Sequence, residues 1–168
     1  SGREFVARFA GAYGNSLEVS VCPSLQAYEE AVVTTVNDSA VSIGDTTITM
    51  SSGTNINVGD ILSFSTTAAT SDYDDGVEYE VTAVSTNDIT IKKKVGTGGL
   101  TRVIVDGANV RRRWKYYDQV SGAPGTSPDV AAAGGSDDEM HIVVVDSDGT
   151  ISGTKGEVLE VYEKVSKA

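Results

Sequence analysis

Ser136-Asp-Asp-Glu-Met-His-Ile-Val-Val-Val-Asp-Ser-Asp-Gly-Thr-Ile-Ser-Gly-Thr-Lys-Gly-Glu-Val-Leu-Glu-Val-Tyr-Glu-Lys-Val-Ser-Lys-Ala168 closes the chain and decides how the rest is read. A charged loop leads into Met140–Val145, which is apolar at every position except His141. Alternation puts Met140, Ile142 and Val144 on one face of a strand and His141, Val143 and Val145 on the other. A strand apolar on both faces is usually covered on both sides. Asp146-Ser147-Asp148-Gly149 then turns the chain, with Asp-Gly supplying the positive φ of a hairpin. Val158–Val165 fits a helix face through Val158, Leu159, Tyr162 and Val165, but its Val and Tyr content favours a second strand.

Working outward, the 168 residues are 39% hydrophobic and 22% charged, enough apolar content to bury a core. Glycine is common and proline rare, and Val, Thr and Ile fill the apolar runs. That composition favours strands joined by Gly and Asp turns. The expected fold class is α+β, predominantly β. The net charge of −11 argues against broad binding to nucleic acid, which needs Lys and Arg to displace counterions, and against anionic membrane surfaces. No apolar run approaches the ~20 residues of a membrane span, and the first residues do not read as a signal peptide. Cys22 is the single cysteine, so no intrachain disulfide forms, and it reads as a small buried apolar residue. Neither end reads as a natural terminus, as expected of a piece of a longer protein.

Near the start, Phe5–Phe9 leads to a glycine-containing stretch, and Leu17, Val19 and Val21 alternate with Glu18 and Ser20 as in a half-buried strand. Ser24 is placed to cap a helix predicted over Leu25–Val33, although Val32–Val36 fits the start of a strand equally well. From about Val36 the charge thins and short alternating runs are cut by Gly-Asp and Asn-Asp turns. About five strands are expected there, the last at Val103–Val105, as in a small β-barrel or sandwich. Val41-Ser42-Ile43-Gly44-Asp45 and Asn55-Ile56-Asn57-Val58-Gly59-Asp60 rhyme, and read as similar turns. The predicted organisation is one α+β unit from residues 1–35 and 109–168, interrupted by an inserted β module over 36–108.

Candidate chemistry is thin. His141 is the only histidine, and a zinc site or triad would need companions that no other histidine supplies. Asp146-Ser147-Asp148 with Glu157 copies positions one, three and twelve of a calcium loop, but the glycine demanded at position six is Ile151. Asp72, Asp74 and Asp75 read as a solvated acidic loop. Gly96–Gly99 and Gly153–Gly156 lack the Lys-Ser/Thr and helix of a phosphate loop. No catalytic, cofactor-binding or metal-binding residues are assigned, and no enzyme activity is expected. The strongest local patch is Arg111–Tyr117, where Arg111, Arg113, Trp114 and Lys115 are the residues predicted for a protein interface. A strand with buried aromatics and solvated arginines explains the same pattern.

The flanks resemble the tail sheath proteins of contractile-tailed bacteriophages. The residues that carry the resemblance come in order: Ala10-Gly11-Ala12-Tyr13-Gly14-Asn15-Ser16-Leu17-Glu18-Val19-Ser20-Val21; Tyr116-Tyr117; Ala123-Pro124-Gly125-Thr126-Ser127; Asp138–Gly149; Gly153–Glu160; and Val165-Ser166-Lys167-Ala168. The match covers about half the chain and is specific as an ordered series; residues 36–108 carry none of it. The resemblance implies a structural subunit that polymerises as stacked six-membered rings around a tail tube and contracts on a baseplate signal to drive genome delivery. Implied partners are other sheath subunits, the tube and the baseplate, with the virion tail as location and the host cytoplasm during assembly. It implies no cofactor, and an isolated piece that is monomeric or weakly associating. A β-rich carbohydrate-binding or adhesin module is the alternative, with the insert as its binding part. A hydrolase ranks last.

Overall fold

The computed structural model describes residues 11–73 and 76–167, so Phe5–Phe9, Ala10, Asp74, Asp75 and Ala168 lie outside it. The chain is mostly β, in two antiparallel sheets, and divides into two compact units. One contains residues up to Tyr28 and from Tyr116 onward; the other is Glu29–Lys115. The second unit is therefore wider than the 36–108 expected, because it takes in a strand on each side.

In the first unit, a short helix α1 (Ala12–Ser16) runs straight into β1 (Leu17–Cys22), and a one-turn helix α2 (Leu25–Tyr28) follows. The carboxyl-terminal part supplies a 3₁₀ turn (Tyr117–Gln119), a short helix (Pro128–Ala132) and the two longer strands of its sheet. These last strands are β8 (Glu139–Asp146) and β9 (Glu157–Ser166), and the helix is α3. The sheet order is β1-β8-β9. Leu17 pairs with Asp146 and Cys22 with His141 in an unbroken antiparallel register. The strand assignment for the last segment holds. The β8–β9 ladder carries two bulges, between Met140 and Ile142 and between Val144 and Val145, which strengthen its local twist. His141, Val143, Val145 and Cys22 share the fully covered face. Ser127 caps α3 through its side chain, with proline in the first turn.

The helix predicted over Leu25–Val33 ends at Tyr28. Ser24 does cap it, accepting from the Ala27 N–H at 3.2 Å, but Glu29–Thr35 is strand β2. Two causes act together. Val32, Val33, Thr34 and Thr35 are β-branched and stiff about χ1. And Glu29 and Glu30 sit directly opposite Arg113 and Arg112 of β7 (Ala108–Arg113), a cross-strand charge pairing that a helix would forfeit.

The second unit is one six-stranded sheet, β2-β7-β4-β5-β6-β3, with β3 at Thr47–Thr49, β4 at Ile61–Ala68, β5 at Tyr79–Ser85 and β6 at Asp88–Lys93. Its two edges meet at the single bridge Val36–Met50, where Asn37 and Ser51 N–H groups donate to Thr49 and Thr35 carbonyls at 2.9 and 2.8 Å. One bridge is not a ladder, so the sheet rolls up without becoming a closed barrel, and it is not a two-sheet sandwich. Leu62, Phe64, Val81, Ile89, Ile91 and Val110 fill the roll, all 1% exposed or less. No strand forms at Val103–Val105; both valines are exposed and the last strand starts at Ala108. In β5 the alternation that buries Tyr79 and Val81 breaks after Val81. A bulge there sends Ala83 outward and brings Val84 against the core.

The two rhyming runs make the same turn. The Asp45 and Asp60 carboxylates accept from the N–H groups of Ser42 and Asn57, each at 2.8 Å. Gly44 and Gly59 take φ +93 and +94, where only glycine is unstrained. Each turn then docks by the same pair of backbone bonds: Gly44 N–H to Leu100 and Leu100 N–H to Asp45, and Gly59 N–H to Val81 and Val81 N–H to Asp60. Val41 and Ile56 are buried before each turn, and Ile43 and Val58 stand out at its tip.

Candidate functional site

The basic-aromatic run lies on β7 and just beyond it, and within its unit most of it turns inward. Arg111 and Arg112 are each 8% exposed, and Trp114 is 7% exposed. Arg113 and Lys115 remain partly accessible. The Arg111 guanidinium lies 4.6 Å from the centroid of the Tyr73 ring, within cation–π range, and donates to the Ser63 hydroxyl at 3.2 Å. Ser63 is its register partner on β4. Arg112 faces Glu30 at 3.5 Å and Asp60 at 3.9 Å. Arg113 is held on both sides, by Glu29 at 2.7 Å and Glu78 at 2.9 Å. Lys94 adds a second cation to Glu78 at 3.3 Å.

These contacts set the electrostatics. Burial opposes the charge on Arg113, but the Glu29 and Glu78 hydrogen bonds outweigh it and raise the group above the ordinary arginine value. Burial pushes the Asp60 carboxyl up, against the pull of the Asn57 N–H and Arg112. Arg112 and Arg113 are thus charge-balanced by carboxylates of their own unit, whereas Arg111 is held by a hydroxyl and an aromatic ring. Of the predicted interface residues, Arg111 and Trp114 are buried, while Arg113 and Lys115 keep partial access. The carboxylates were missed in the sequence, although a signal existed: Glu29-Glu30 and Arg112-Arg113 are oppositely charged doublets bracketing the insert. Arg102 was missed too. It donates to the Phe64 and Ser65 carbonyls at 3.0 and 3.2 Å.

In the first unit, His141 is fully buried. Its Nδ1 accepts from the Lys164 N–H at 3.1 Å and its Nε2 lies 2.8 Å from the Gly122 carbonyl. A backbone donor at one nitrogen and a backbone acceptor at the other assign the neutral Nε2–H tautomer. Lys164 reaches it from a φ of +52. The Tyr28 ring meets the imidazole edge-on, with centroids 6.3 Å apart.

Asp146 is the hub of the turn after β8. One oxygen accepts from Gly149 N–H at 3.0 Å and from the Ser16 hydroxyl. The other accepts from Ile151 N–H, Ser152 N–H and the Ser152 hydroxyl at 2.9, 2.7 and 2.8 Å. Burial would raise this carboxyl, but the Ser152 and Ser16 bonds prevail and hold it well below the usual range. Asp148 is lowered by the same Ser16 hydroxyl and by Thr150. Asp138 ties three segments together: its carboxylate accepts from the Ser166 hydroxyl at 2.6 Å and the Ser127 N–H at 2.8 Å, which lower it to about 2. The calcium-like spelling therefore serves as a carboxylate-capped loop. Among the described residues no group of three or more His, Cys, Asp or Glu side chains is arranged to hold a metal ion.

A depression of about 410 Å³ in the second unit is lined by Val77, Glu78, Lys93, Lys94, Val95 and Thr101, among others. Its carboxylate, Glu78, is engaged with Arg113 and Lys94. The insert's tyrosines make no open platform for a sugar ring. Tyr79 is 3% exposed and Tyr73 lies under Arg111. No family model, curated protein or solved structure matches the chain.

Proposed function

We propose that this chain is part of the sheath subunit of a contractile phage tail, which polymerises around the tail tube and contracts to drive the genome into a bacterium. The observation that carries the reading is how the family-like text is distributed. The described parts of Gly11–Val21, Tyr116-Tyr117, Ala123–Ser127, Asp138–Gly149, Gly153–Glu160 and Val165–Lys167 all fall in the first compact unit, whereas 36–108, which lacks the resemblance, lies in the second. An ordered series of motifs that also shares one compact unit is what a common scaffold interrupted by an insertion would leave.

On this reading the work is mechanical. A sheath needs a heterologous, helically repeating interface with two packings of different energy, and subunits, tube and baseplate as partners. Carboxylate-capped turns and a fully bonded buried histidine suit a rigid body that moves as a whole. Immunogold labelling with antibodies against this chain is the test. Regular label along the sheath of extended and contracted tails is expected. Label confined to fibres, capsid or cell envelope would overturn the reading.

A further inference from the structure

The two faces of the β1-β8-β9 sheet are unequal. On one, Cys22, His141 and Val143 are 0% exposed and Val145 is 2% exposed. On the other, register places Val19 beside Val144 and Glu160, and Val21 beside Ile142 and Tyr162, with Met140 and Val165 paired in the next row. Val19, Val21, Met140, Ile142, Val144 and Val165 all stay partly accessible, and Leu17 and Tyr162 are 39% and 48% exposed. Asp146, the next residue on that face, is covered by its own loop.

We infer that this face is a docking surface for a single amphipathic helix with a cationic flank. Size sets the shape of the occupant. Three strands put about 10 Å between the outer backbones, the width of one helix of 10–12 Å. The apolar rows from Met140 to Val144 run about 14 Å along β8, which ~9 helical residues cover. Charge sets the flank. Glu157 and Glu160 stand on the β9 side of the face, and the chain carries −11 overall. A second copy of the chain would bring like charges together, whereas Lys or Arg beside a Leu stripe would meet the β9 carboxylates. The inference rests on the sheet alone and is independent of the sheath reading.

The test uses the whole chain with two labelled 18-residue helical peptides that share one leucine face, one with lysine and the other with glutamate on the polar face. Fluorescence anisotropy should show saturable binding of the lysine peptide and about tenfold or weaker binding of the glutamate peptide. Val21→Lys combined with Tyr162→Lys should weaken the lysine peptide about tenfold or more. Asp106→Lys on the other unit, which changes the net charge as much as the double variant does, should leave it within about twofold, which separates docking from general attraction to an acidic protein. Tyr162→Lys alone, at a half-exposed position, gives the same reading should the double variant lose its near-ultraviolet circular dichroism. Absence of lysine-peptide binding, equal binding of both peptides, or equal losses in Asp106→Lys and the face variants would overturn the inference. So would a dimer that the face variants dissolve, because a second copy would then be the occupant.

Discussion

Asp146 shows how much a single side chain can organise. Its two oxygens satisfy three backbone N–H groups and two hydroxyls across the loop that follows β8. Asp146→Ala should therefore lower the melting temperature more than Asp148→Ala, which loses contacts only to Ser16 and Thr150, and calcium should shift neither. Acid should act through the same groups. The lowered carboxyls of Asp138 and Asp146 contribute stability that is complete above the unfolded value near 4 and is lost as the pH falls through the folded one, about 2 for Asp138. Melting temperature should thus drop between pH 4 and pH 2, and Asp138→Asn should flatten part of that slope. The carboxylates were visible in the sequence as a calcium-like spelling. Their real partners were not, because Ser16 lies far away in the chain and backbone donors leave no sequence signal. At the same scale, Val143 rather than Val144 is the sealed position of β8. Val143→Asp should unfold the first unit, while Val144→Asp faces a partly open surface and should cost less, as chemical denaturation would show.

Among the elements, β2 and β7 carry the clearest lesson about legibility. Periodicity alone gives Leu25–Val33 to a helix. Pairing with arginines more than eighty positions away gives most of it to a strand, and no local window contains that information. By contrast, the two Gly-Asp turns were legible as a rhyme, since everything that makes them alike is local: a carboxylate three residues after the N–H it accepts, and a glycine at positive φ. Arg113→Ala should destabilise the second unit by about 2–3 kcal/mol, because it leaves Glu29 and Glu78 without their shared cation in a half-buried site. Arg113→Lys should recover only part of that in urea melts, since one ammonium cannot copy a planar two-sided donor. Gly44→Ala and Gly59→Ala should cost similar amounts, about 1–2 kcal/mol each, and a large inequality would show that the two turns are less alike than their hydrogen bonds.

For the whole molecule, each unit has its own sheet and its own buried residues, so the two should be separable. Glu29 and Arg113 are register partners, so the insert leaves through neighbouring antiparallel strands and returns beside its starting point. Replacing 29–115 with a short Gly-Ser linker should leave the β1-β8-β9 sheet folded, seen as retained amide-exchange protection at Val143 and Val145. Light scattering of the intact chain should show a monomer at micromolar concentration, and stable hexamers would mean that assembly contacts reside in these residues.

That side-by-side entry and exit also decides where tension goes. A domain in series with a pulled chain has its ends far apart and must bear the load. Here a pull that separates Tyr28 from Tyr116 would meet the β2–β7 ladder end-on and open it one bond at a time from the Glu29–Arg113 rung. A pull shared across β1, β8 and β9 would bypass the insert altogether. Under such a pull the Glu29–Lys115 unit would stay outside the load path, a passenger free to vary in size and sequence.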